Sequence, residues 1–243
     1  CIIFPAMMKA HGDYVMPKNV PAFEFLNLEN DKISTSRNWA VWAHEYLEDF
    51  PNQQDTLLYV LTANMPENKD NNFTWKDFQT KNNSELVGIL GNFINRVMVL
   101  SHKYYEGIVP TKTIEFVELT EIKYFAKRIG DHLEKYEFRA ALTEYMNLAR
   151  LGNQFLQAQE PWKKGDDPEA VKGIMYTATQ IAAALGQLGE PFIPFASEKI
   201  LAMMNVEKMT WDDLESTDEF AKAGHQLGQS ELIFAKIEDE AIE

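Results

Sequence analysis

Asn92 and Arg96 lie four residues apart in a long helical pattern, so they share one face, turned away from the apolar stripe Leu86, Leu90, Phe93, Val97 and Leu100. An asparagine amide both donates and accepts, and an arginine presents a planar cationic fork. Trp162 follows Pro161 where another helix must stop, with little of a bundle left to cover its ring. A hydrogen-bonding amide, a cationic fork and a flat aromatic face are the parts needed to read unstacked bases of a single-stranded RNA loop. A second candidate is the short cationic, hydroxyl-rich loop Lys32-Ile33-Ser34-Thr35-Ser36-Arg37, which stands just ahead of Trp39 and Trp42 with too little sequence upstream for a catalytic domain to use it.

Other residue types that carry chemistry have simpler readings. His11, His44, His102, His132 and His225 are scattered, without metal-ligand spacing and without cysteine partners, and imply no metal. Trp39, Trp42 and Tyr46 fall at helical spacing beside Ala40, Val41 and Leu47, which reads as core packing rather than a second stacking platform. Lys123, Lys127 and Arg128 share a helix with Glu118 and Glu121 and read as a mixed, solvated face.

The elements that must position these residues follow from the pattern of apolar side chains. Residues 1–50 read as strand and loop, with Ile2-Ile3-Phe4-Pro5-Ala6-Met7-Met8 as a buried strand whose sheet partners are missing, as in a chain cut through a domain. From Asp55 the period becomes helical. The longest helix runs from an N-cap at Thr74 to a C-cap at Gly107, about 50 Å at 1.5 Å per residue. Further helices are expected at 113–136, at 138–159 ended by Pro161, from Asp167 with Pro168 in its first turn to Leu188, and at 195–204. Shorter amphipathic pieces, 211–220 and 232–242, read as a helical tail leading to a linker. Short connections between long helices make neighbours antiparallel. The expected fold is therefore mainly α, an antiparallel helix bundle at 51–206 preceded by a strand and loop remnant at 1–50 and followed by an acidic tail at 207–243.

Bulk properties bound the setting. The single cysteine, Cys1, excludes an internal disulfide or a cysteine-based zinc site within the chain and suits a reducing compartment, so a cytoplasmic location is expected. No apolar run approaches the ~20 residues that span a bilayer, and no export signal is present, so no membrane association is expected. The net charge of −14 ordinarily disfavours nucleic acid. It is unevenly spread, however: residues 207–243 hold 11 acidic and 3 basic side chains and the remainder 26 and 20.

Lys32-Ile33-Ser34-Thr35-Ser36 resembles the second signature loop of class I aminoacyl-tRNA synthetases, usually Lys-Met-Ser-Lys-Ser. Asn92-Phe93-Ile94-Asn95-Arg96 is similar to the Asn-x-x-x-Arg of the methionyl-tRNA synthetase anticodon helix, and Asn153-Gln154-Phe155 through Pro161-Trp162 to its Asn-x-aromatic and Pro-Trp segment. Pro191-Phe192-Ile193-Pro194-Phe195-Ala196 resembles the motif that closes its bundle.

The resemblance implies the C-terminal part of such an enzyme, which joins methionine to tRNA(Met) using ATP. Asn92, Arg96 and Trp162 would contact the CAU anticodon. Lys32, Ser34, Thr35, Ser36 and Arg37 would form the catalytic loop, with Lys32 and Thr35 toward ATP and its magnesium. Any zinc would belong to parts outside this chain, and the piece alone would make no adenylate. Thr35 stands where the family's second loop lysine neutralises triphosphate charge, leaving that task to Arg37 or to Lys32 with the hydroxyls of Ser34 and Ser36. Two alternatives remain at this point. One is the bundle of a leucine, isoleucine or valine enzyme of the same class, distinguished by the anticodon it binds. The other is a non-catalytic helical interaction module, which would not bind tRNA.

Overall fold

The computed structural model describes residues 1–242, an array of helices with one small sheet. The chain opens with helix α1 (Ile3–His11). Strands β1 (Leu26–Leu28) and β2 (Asp31–Lys32) form an antiparallel hairpin in which Asn27 pairs Lys32 and Leu28 pairs Asp31. Glu29 and Asn30 turn it with φ of 49° and 64°, the left-handed pair that a two-residue hairpin requires. Helices α2 (Ala43–Asp49) and α3 (Gln54–Ala63) follow, then β3 (Asn71–Phe73), which lies parallel to β1.

Helix α4 (Trp75–Lys81) starts at Thr74, whose hydroxyl accepts from the Asp77 amide at 3.1 Å. It continues without a break through a π-helical stretch, Asn82–Gly91, into α5 (Asn92–Tyr105). The expected long helix is therefore present, with a wider middle. Leu86, Leu90, Phe93 and Val97 are buried along it, joined by Ile94 and Met98, and Leu100 is half-buried.

The remaining helices are α6 (Val117–Glu134), α7 (Phe138–Gln159), α8 (Pro168–Leu188), α9 (Pro194–Met204) and α10 (Trp211–Ser216). Helix α6 packs on α7, α7 on α8 and α8 on α9. Helix α8 sits at the centre: from Ile174 to Leu188 it is buried all round, which its alanines, glycines and threonines allow. Helix α9 closes the bundle. Pro194 begins it without an amide to satisfy, and the carboxylate of Asp55 on α3 accepts from the amides of Phe195, at 3.3 Å, and Ala196, at 2.5 Å.

Five expectations need correction. The run expected as a strand at 2–8 is helical from Ile3 onward; a short apolar run lacks the period to choose between the two, and none of α1 is buried. β3 interrupts the helical region because Asn72 and Asn30 join it to the hairpin, amide to amide at 3.1 Å and backbone to amide at 2.9 Å. Trp39 precedes α2 rather than lying on it and keeps 39% exposure, with its indole donating to the Leu28 carbonyl at 3.1 Å, whereas Tyr46 is core. The piece at 211–220 is helical only to Ser216.

The fifth correction concerns 232–242, which is extended up to a single turn at Asp239–Ala241. The segment forms a strap along the α4–α5 run. Phe234 and Ile237 are buried, and Asn82 donates to the Ala235 carbonyl at 2.9 Å. Asn83 both donates to the Ile237 carbonyl at 2.8 Å and accepts from its amide at 2.9 Å, while Gln79 donates to the same carbonyl at 3.1 Å. These side-chain amides satisfy the backbone that a helix would have satisfied internally.

Candidate nucleic-acid interface

Two elements remote in sequence bring the predicted base-reading residues together. The first is α5, whose exposed face carries Asn92, Asn95, Val99 and Lys103, with Arg96 half-buried among them. The second is the end of α7. Glu160 stops that helix in the left-handed conformation, φ 44°, and Pro161 begins a tight turn that carries Trp162 back toward α5.

The guanidinium carbon of Arg96 lies 5.2 Å from the centre of the Trp162 ring. This is a cation–π contact, and with 37% of Trp162 exposed the ring still offers surface to a stacked base. One turn earlier on α5, Asn92 donates to Asn153 Oδ1 at 3.2 Å. Asn153 in turn donates to the carbonyls of Ile89, at 2.9 Å, and Ala149, at 3.1 Å. It thereby ties α7 to the π-helical turn before Asn92 and orients the Asn92 amide.

The close approach of the two helices depends on Gly152. A Cβ there would lie 2.5 Å from Phe93 Cζ, so only glycine lets α7 approach α5 closely enough for Asn153 to reach Asn92.

Lys123, Lys127 and Arg128 are held by Asp218, Asp131 and Glu144, which accounts for them as a mixed surface. Arg96, among the described residues, meets no carboxylate, and Lys103 and Lys164 likewise contact neutral groups, the Tyr104 ring at 5.2 Å and Gln159 at 3.3 Å. A small cationic strip thus persists in an acidic chain.

The loop at 32–37 is remote from this face and folded on itself. Arg37 donates to Asp31 Oδ2 at 3.1 Å and to the Lys32 carbonyl at 2.9 Å. The Arg37 hydrogen bond holds the Asp31 carboxyl below its ordinary pKa. Ser34 and Ser36 share a hydroxyl contact at 3.2 Å, Thr35 begins a short turn, and Lys32 Nζ stands 5.7 Å from the Phe25 ring centre. Among the described residues no group of three or more His, Cys, Asp or Glu is gathered to hold a metal ion, and no helix is long and apolar enough to cross a membrane.

Asn153 and Asn95 were not singled out as site residues in the sequence. Asn153 stood within a quoted motif and Asn95 between Asn92 and Arg96, but their roles in the geometry depend on which helix faces which.

Comparisons with known proteins show what the chain as a whole is similar to. Residues 1–98 match the family model of class I tRNA synthetases (M), and residues 112–243 that of the anticodon binding domain of methionyl tRNA ligase. The chain is 58% identical over 249 residues to a methionine–tRNA ligase of Flavobacterium psychrophilum, and 55% over 252 to one of Phocaeicola vulgatus. In both cases all of this chain is covered but only 36% of the relative. A similar fold occurs in the Mycobacterium tuberculosis methionyl-tRNA synthetase in complex with methionyl-adenylate, with TM-score 0.84 and 20% identity over 96% of this chain and 47% of that one.

Proposed function

This chain belongs to the methionyl-tRNA synthetase family, and from that membership we propose that its helical part reads the CAU anticodon of tRNA(Met) through Asn92, Arg96 and Trp162. The observation that carries the reading is the stack of Arg96 on Trp162, one turn from an Asn92 amide held by Asn153. One anticodon base lies on the tryptophan, while Arg96 and Asn92 hydrogen-bond to base edges. Arg96 rests against the ring and, among the described residues, its side chain makes no hydrogen bond of its own, which leaves its donors for a base. The cost of opening the site is small, because ring, fork and amide are already in place in the free chain.

Residues 1–50 are assigned to the end of the catalytic domain, 51–206 to the anticodon-binding bundle and 207–243 to the tail. The chain spans about a third of the length of its curated relatives, and the whole protein would attach methionine to tRNA(Met) with ATP and magnesium, in the cytoplasm. Within it, Lys32, Ser34, Thr35, Ser36 and Arg37 form the loop that closes over ATP, with Lys32 and Thr35 nearest the phosphates.

Binding of the chain to RNA stem-loops carrying CAU or altered anticodons tests the anticodon assignment. Tight binding that requires CAU and is lost in Trp162→Ala is the expected result. Weak binding that ignores the anticodon overturns it.

A further inference from the structure

The Asn92 face continues into a groove of which the anticodon assignment uses only Asn92. Its volume is about 420 Å³, within the ~300–1,000 Å³ range of small-ligand clefts. One wall is helical, with Val87, Gly91, Asn92 and Asn95. The other is the strap, residues 230–234, which comes from the far end of the chain. A Cβ at Gly91 would press on Leu86 O, at 3.1 Å, but would make only ordinary contact with Phe234 Cδ2, at 3.8 Å, so the glycine serves the turn of its own helix rather than the approach of the strap.

The strap is anchored on both sides of the groove and unbonded between. Upstream, the Gly228 amide donates to the Met203 carbonyl at 2.8 Å and the Glu231 amide to the Met203 sulfur at 3.2 Å. Downstream, Phe234 is buried and Asn82, Asn83 and Gln79 hold the backbone of Ala235 and Ile237. Among the described residues, no hydrogen bond falls on the backbone of Leu232 or Ile233. Leu232 is 77% exposed, an apolar side chain with nothing over it.

We propose that this groove is a second base pocket, in which one further unstacked base of the RNA loop lies against Leu232 and is read by Asn95, by the far side of Asn92 and by the open backbone of the strap. The proposal rests on the anticodon reading above. Three features select a base. The amides of Asn92 and Asn95 and the free strap backbone supply donors and acceptors together, as a base edge demands. Leu232 and Ile233 supply the apolar wall. The Glu231 carboxylate lines the same groove and repels a phosphate, so the nucleotide enters base first with its backbone toward solvent. Asn92 belongs to both sites, which places the second base next to the one on Trp162.

The test uses the full 243-residue chain and a CAU stem-loop, intact or with an abasic site at each loop position in turn. Wild type, Asn95→Ala, Leu232→Ala and Trp162→Ala are compared, with thermal melts to confirm that the exposed-residue variants fold. Asn95→Ala and Leu232→Ala should each weaken intact stem-loop binding roughly fivefold or more, the lower end of what one stacked base contributes. Both losses should vanish at one abasic position, different from the one that silences Trp162→Ala. If Trp162→Ala weakens binding while the other two do not, or if their losses persist at every abasic position, the pocket is refuted and the anticodon reading stands. If the wild-type chain does not distinguish CAU at all, both fail.

Discussion

Arg96 and Trp162 stand in cation–π contact, 5.2 Å from guanidinium carbon to ring centre, although one lies on α5 and the other on the turn that follows α7. The contact links the hydrogen-bonding fork and the stacking platform into one unit, and it makes their substitutions interdependent. Stacking on an aromatic contributes ~1–3 kcal/mol per base, so Trp162→Ala should weaken stem-loop binding by roughly five- to 150-fold. Arg96→Lys keeps the charge but loses the planar fork, and should fall nearly as far. The double variant should lose less than the sum of the two, measured by a double-mutant cycle on binding.

Few cations on this face are unpaired, so binding should depend only weakly on salt. A titration of affinity against salt should give a shallow log–log slope, corresponding to about three neutralised phosphates at most. A steep slope would show that the RNA meets a basic surface elsewhere.

Gly152 sets the separation of α5 and α7. Gly152→Ala drives a methyl group into the Phe93 ring, and overpacking of this kind costs about 1–3 kcal/mol. Because the same displacement moves Asn153 away from Asn92, the variant should melt earlier and bind RNA more weakly than its stability loss explains. Binding measured well below its melting temperature separates the two effects.

Asp55 is buried at the start of α9, and burial raises its pKa above the ordinary 3.8 even though two amides stabilise the carboxylate. The folded state therefore holds the proton to a higher pH than the unfolded state does. The contribution of Asp55 to stability is greatest below 3.8 and falls as pH rises through the interval up to the folded pKa. The melting-temperature difference between wild type and Asp55→Asn, followed from about pH 3 to about pH 7, should shift against wild type across that interval and then level off. A difference that moves the other way would mean the amides outweigh burial.

Arg37 is engaged with Asp31 and the Lys32 carbonyl, which suits a brace for the loop rather than a replacement for the missing lysine. On the loop assignment proposed above, Asp31→Ala in the whole protein should then lower the rate of adenylate formation by roughly tenfold, as loss of positioning does. Were Arg37 to act on the phosphates directly, freeing it would raise the rate instead, so the sign of the Asp31→Ala effect decides.

Much of this molecule was legible in its sequence because the signals are local. Proline and glycine punctuation and the 3.6-residue period located α7 and α8 almost to the residue, and Asn92 with Arg96 had to share a face once the helix was recognised. Trp162 was found because Pro161 must end a helix.

What the sequence by itself determined is the helical bundle, its long helices and the residue types on one exposed face. The tertiary structure alone decided which partners meet. That Arg96 reaches Trp162, that Gly152 brings Asn153 to Asn92 and that residues 230–234 wall the groove beside them all depend on contacts between distant segments. The strap shows the reason most clearly. Phe234 and Ile237 have helical spacing, and by themselves they read as a helix. Gln79, Asn82 and Asn83, some 150 positions earlier, bind the strap's backbone and hold it extended. A local pattern cannot register hydrogen-bond partners that far away, and for this segment those partners outweigh propensity.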